Sequence, residues 1–242
     1  MRTLLISWNP KGIHLAETLN REVFERNREG YLSLYPRDSV IPDFFNSWRD
    51  LIVNKDPEVV IVGFQEDAKP GSYFHSHLLP DEMSKIGYTL LTRERLISLN
   101  WSPGGLRTSI YARVEIFVEK IDYYSSDYFH RYGGLATTIL LTDGTTFTVV
   151  NVKGPEGSKV EAQERQDELF SNNRLINELT RRFKPNILFG DLGYRDGEAI
   201  IQMEKKNMYT YDVGVNTLLN SVLIIERGSI EAIGSNASWC IF

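Results

Sequence analysis

Four polar residues stand where apolar runs rich in β-branched residues give way to loop-like chain: Asn9, Glu66, Asn151 and Asp191. A hard cation such as Mg²⁺ takes oxygen ligands, keeps several waters, and is commonly held by one or two carboxylates together with a substrate phosphate. Glu66 and Asp191 are carboxylates of that kind, and the ends of strands are where binding and catalytic groups gather. Taken singly, each has a plain structural use, since an Asn after a strand caps a turn and an acidic residue before a loop is simply solvated. Their order along the chain is what carries functional meaning.

The elements that must position these residues follow from hydrophobic patterning. Apolar, β-branched runs at 3–8, 58–64, 110–118, 135–141, 146–151, 186–189 and 221–225 predict strands. Between two of them, Thr142-Asp143-Gly144-Thr145 carries an Asp-Gly pair, which supplies the positive φ angles of a tight antiparallel hairpin. Helical patterns cover 14–28, 41–53 and 159–183, the last with apolar Val160, Leu169, Phe170, Leu175, Ile176 and Leu179. Strands that form hairpins in places and alternate with helices in others predict mixed sheets packed together with helices outside, rather than one doubly wound parallel sheet. The stretch Ile121 to Tyr132 holds Tyr123, Tyr124, Tyr128 and Tyr132, read as strand or loop packing in preference to an exposed aromatic grip for a partner.

Composition bounds the rest. With 242 residues, 42% of them hydrophobic and 24% charged, and with no repeat or linker, the chain is expected to form a single domain over 1–242. The net charge of −5 argues against nucleic acid and against anionic membranes, which need a basic excess, so a phosphate group must be recognised locally. A lone cysteine, Cys240, excludes an internal disulfide and fits a reducing compartment, with the cytoplasm as the expected location. The opening apolar run is too short for a signal peptide or a membrane span, so no transmembrane segment is expected. Cys240 sits one place too late for a prenylation box.

In their order the strings resemble the endonuclease/exonuclease/phosphatase superfamily, and most closely its inositol polyphosphate 5-phosphatase branch. Leu4 to Gly12 (LLISWNPKG) looks like the opening strand and metal-site Asn of that family, and Val59 to Glu66 (VVIVGFQE) like the strand that carries its metal-binding Glu. Tyr132-Gly133-Gly134 sits where the branch has Lys-Gly-Gly, and Phe147 to Asn151 leads to the position of its Asn-x-His. Gly190-Asp191-Leu192-Gly193-Tyr194-Arg195 is similar to its Gly-Asp-x-Asn-Tyr-Arg. The resemblance covers nearly the whole chain and implies an α+β fold, a four-layer α/β/β/α sandwich of two packed mixed sheets (DNase I-like). It implies Mg²⁺ as cofactor with Asn9 and Glu66 as metal residues, Asn151, Lys153 and Arg195 as phosphate-binding residues, and Asp191 as the remnant of the catalytic set.

Several partners of Asp191 are absent by the same comparison. The Asn of the Gly-Asp-x-Asn string is Gly193, the His of Asn-x-His is Lys153, and the closing Ser-Asp-His falls at Ser238-Trp239-Cys240, where Trp239 and Cys240 replace the Asp and the His. No histidine follows His130 anywhere, and His130 itself reads as an ordinary loop residue. A lysine attracts phosphate as a fixed cation but does not shuttle protons near neutral pH unless strongly desolvated. A positioned general acid or base is worth roughly 10²- to 10⁴-fold in rate, and a charge-stabilising donor about 10²- to 10³-fold. The expectation is a catalytically dead or severely weakened 5-phosphatase-like pseudoenzyme, kept as a binding or structural component with a protein partner in an assembly and with an inositol phosphate or phosphoinositide as ligand. The alternative is an active Mg²⁺-dependent phosphatase of those ligands, and a nuclease is disfavoured by the acidic balance.

Overall fold

The computed structural model describes residues 1–8, 49–67, 79–96, 105–125, 132–154, 162–191, 209–212, 222–226, 229–233 and 238–241. Within these, one six-stranded sheet runs in the order β11-β10-β1-β2-β4-β3 and a second in the order β5-β6-β7-β8-β12-β9. The strands are β1 (Arg2–Trp8), β2 (Val59–Asp67), β3 (Thr89–Leu96), β4 (Gly105–Ala112), β5 (Phe117–Ser125) and β6 (Gly133–Leu140), followed by β7 (Thr146–Lys153), β8 (Ile187–Asp191), β9 (Tyr209–Asp212), β10 (Val222–Glu226), β11 (Ser229–Ile233) and β12 (Ser238–Ile241). Residues 49–55 are helical, and two further helices are α1 (Leu79–Lys85) and α2 (Ala162–Phe183). No helix among the described residues is long and apolar enough to cross a membrane.

Strand periodicity divides the apolar residues into three cores. Leu4 and Ile6 of β1, with Val60, Val62 and Phe64 of β2, point to the outer face of the first sheet and pack under Ile52, Leu79 and Met83 of the helical segments. Their strand neighbours Leu5, Val59 and Ile61 point the other way and meet Ile139, Val149, Ile187 and Phe189 of the second sheet. On the far side, Ala136, Val150, Val152 and Leu188 receive Leu175, Ile176 and Leu179 of α2. The layers therefore run helix, sheet, sheet, helix, and each sheet mixes parallel pairs (β1 with β2, β7 with β8) with antiparallel ones.

The structure corrects several boundaries. The apolar run at 110–118 is not one strand, because β4 ends at Ala112 and the chain crosses to the other sheet before β5 begins. That corner is pinned: the Arg113 N–H donates to Glu58 O (3.1 Å), and its guanidinium pairs with the Asp56 carboxylate, donates to Asp56 O (2.8 Å) and stacks on Tyr88. The Arg113 hydrogen bond holds the Asp56 carboxyl below its usual pKa. β11 and β12 likewise serve different sheets, β11 beside β10 and β12 between β8 and β9. The first half of the tyrosine-rich stretch is strand, β5, and β3, β9 and α1 were not anticipated. In the hairpin between β6 and β7 only Gly144 takes a positive φ (81°), while Asp143 instead accepts hydrogen bonds from the Thr145 N–H (2.9 Å) and hydroxyl (2.6 Å). The helical pattern at 14–28, and that at 41–53 before residue 49, lie outside the described residues.

Candidate functional site

The parallel pairs β1/β2 and β7/β8 bring the C-terminal ends of four strands to one end of the sandwich. Near that end the inter-sheet layer changes from apolar to polar, with Ser7, Gln65, Thr108 and Asn151 all buried. Asn151 is the hub. Its Oδ1 accepts from Gln65 Nε2 (2.7 Å), and its Nδ2 donates to Phe64 O (3.2 Å) and Arg107 O (2.9 Å). Both amide protons of Asn151, which is 0% exposed, are thus spent on backbone carbonyls of the opposite sheet. Gln65 extends the network, donating also to Gly63 O (3.3 Å) and accepting from the Ser7 hydroxyl (3.3 Å).

This clamp meets an irregularity in β2. Phe64 faces Arg107 and Asp67 faces Gly105, so Gln65 and Glu66 together oppose Leu106, a β-bulge at the Glu66 position. Bulges re-aim side chains and recur beside active sites. They also break the ladder locally, and the two carbonyls that Asn151 caps, Phe64 O and Arg107 O, belong to the register pair at the edge of this break. The amide from β7 therefore ties backbone carbonyls of β2 and β4 to the second sheet within the buried layer.

On β7 and β8, Lys153 and Asp191 are register partners across a parallel pair, and Lys153 is only 7% exposed. Gly190, just before Asp191, has φ 120°, and a Cβ there would lie 2.4 Å from Val152 O. Only glycine carries the chain into Asp191 by this route. β12 runs antiparallel to β8 with Ser238 beside Gly190, Trp239 beside Phe189 and Cys240 beside Leu188. Trp239 and Cys240 thus lie in the body of the sheet, progressively farther from Asp191 than Ser238, which is the end of β12 nearest the site.

Of the residues read from sequence, the structure brings the strand positions of Glu66, Asn151, Lys153 and Asp191 to the same end, whereas Asn9, His130, Gly193 and Arg195 lie outside the described residues. Sequence reasoning missed Ser7 and the clamping role of Gln65. A lone polar residue inside the apolar run Leu4-Leu5-Ile6-Ser7-Trp8 was the available signal for the first. The oxygen donors of Glu66, Asn9 and Asp191 suit a hard cation in type, and the bulge in β2 falls at the Glu66 position. Among the described residues no group of three metal-ligating side chains occurs.

No family model matches the sequence, and no curated protein matches it. Solved structures do match. The human Nocturnin catalytic domain with a bound sulfate anion aligns over 99% of this chain and 93% of its own, with TM-score 0.51 and 12% identity. ANGEL2, a 2′,3′-cyclic phosphatase, aligns over 86% of this chain and 57% of its own, with TM-score 0.49 and 15% identity. A humanized D. rerio TDP2 aligns over 99% and 97%, with TM-score 0.48 and 11% identity. The fold is the four-layer α/β/β/α (DNase I-like) sandwich shared with the Nocturnin catalytic domain.

Proposed function

We propose that the protein is a binding member of this fold whose hydrolytic power has been lost or severely weakened, holding a phosphate of an inositol phosphate or phosphoinositide as a component of an assembly. The observation that carries this reading is Lys153, a buried ammonium side chain standing in register beside Asp191 where the resemblance expects a histidine. A lysine in that place attracts the carboxylate or a bound phosphate oxygen as a cation, and it lacks the imidazole that the resemblance expects for proton transfer during attack or departure. Glu66 and Asn9 would hold Mg²⁺, which would supply charge neutralisation at the phosphoryl oxygens. Lys153 and Arg195 add cationic partners for the phosphate, and Asn151 keeps the two sheets at the spacing the strand ends need.

Purified protein incubated with Mg²⁺ and a panel of 5-phosphorylated inositides is expected to release no phosphate above a Glu66→Ala control. In calorimetric titration with a soluble 5-phosphorylated inositol phosphate, Lys153→Ala is expected to weaken binding by about tenfold, the loss of one charge-assisted contact. Phosphate release that Glu66→Ala abolishes would instead establish an active Mg²⁺-dependent phosphatase.

A further inference from the structure

The outermost strand of the second sheet, β5, concentrates surface hydrophobicity. Five large hydrophobic residues are exposed among those described, and three of them, Phe117 (55%), Ile121 (36%) and Tyr123 (53%), lie on this strand. Only one side of β5 is paired among the described residues, to β6 along its whole length, so its other side presents backbone donors and acceptors. Such edges are normally blunted by charges and bulges that forbid pairing with another chain. Here the blunting is selective. A bulge interrupts β5 between Val118 and Lys120, but beyond it the residues Lys120-Ile121-Asp122 form a pattern that complements itself when reversed.

We propose that two copies of this chain associate through β5, antiparallel, about a two-fold axis through Ile121. In that register Ile121 meets its own copy, and Lys120 and Asp122 of each chain face Asp122 and Lys120 of the other. Opposite charges directly across an antiparallel pair stabilise it, and like charges oppose it. Moving the axis by one residue sets lysine against lysine, or aspartate against aspartate, so the charges select a single register. Both groups are available for the exchange. Lys120 is well exposed, and among the described residues Asp122 contacts Lys120 Nζ (3.4 Å) and Arg182 Nη2 (3.7 Å) and accepts from the Tyr123 N–H (2.8 Å). Ile121 and Tyr123 pair with Thr137 and Leu135 of β6, whereas Lys120 and Asp122 alternate to the other face, so one face joins Ile121 to its copy, with Tyr123 opposite Glu119 beside it, and the other face is ionic. An isologous two-fold contact is closed and ends at two copies.

Sedimentation velocity of the full chain at about 100 μM, within reach of a modest interface, is expected to show a dimer that dissociates on dilution. Lys120→Asp replaces two attractive cross-strand pairs with two repulsive ones and is expected to weaken dimerisation by at least about tenfold. The exchange Lys120→Asp with Asp122→Lys restores opposite charges in the same register and is expected to recover the dimer, with a thermal melt confirming that each variant is folded. A wild-type chain that stays monomeric at that concentration, or a dimer indifferent to Lys120→Asp, overturns the proposal.

Discussion

Asn151→Ala is expected to destabilise the protein by about 3 to 5 kcal/mol, the scale of leaving several buried polar groups without partners. The substitution removes the Nδ2 donor shared by Phe64 O and Arg107 O and the short acceptor of Gln65 Nε2, all inside the sandwich. Asn151→Asp, which keeps size but loses both donors and sets a carboxylate against two carbonyl oxygens, is expected to cost more still. Urea denaturation followed by far-ultraviolet circular dichroism measures both, and a shift in midpoint with unchanged slope identifies a loss of native stability. A cost below about 1 kcal/mol for Asn151→Ala, the level of a surface change, would mean that these contacts do not tie the sheets together.

The second large effect belongs to Gly63. Its position faces the other sheet so closely that a Cβ would lie 2.2 Å from Phe189 Cε2 and 3.0 Å from Asn151 Cγ. Phe189 is fully buried and has no solvent into which to retreat. Gly63→Ala is expected to cost about 3 kcal/mol by overpacking. Because the clash is with one ring, Phe189→Leu in the same chain is expected to recover part of it. The double variant should lose at least about 1 kcal/mol less than the sum of the two single losses. Additive losses would indicate that the sheets separate locally rather than pressing on the ring.

The strand ends were legible in sequence because a polar residue closing an apolar run needs no tertiary knowledge to be noticed. Glu66, Asn151 and Asp191 were placed on the correct strands in that way. What Asn151 touches was not legible. Its partners come from β2 and β4, 44 and more residues away, and no local pattern announces a clamp between two sheets. The corner at Arg113 hid inside a strand-like run because Ala112, Val114 and Ile116 keep an apolar alternation going while the chain changes sheet. β3 escaped for the opposite reason: Arg93-Glu94-Arg95 interrupts its apolar residues, which an outermost strand tolerates but a central one does not.

β1 has a neighbour on each side, and the two arrive at very different times during synthesis. Val59 to Phe64 supplies the first, whereas Thr3 waits for Ile225 to supply the second. β8 is in the same position, lacking β12 until Ser238 to Ile241 has been made. Both sheets thus remain incomplete through most of translation, each with a strand whose open edge is destined for the interior. Contacts of such sequence separation are slow to form, so the nascent chain is exposed to mispairing at β1 and β8 until its last strands emerge, and in refolding the pairing of β10 and β12 is expected to be the slow event.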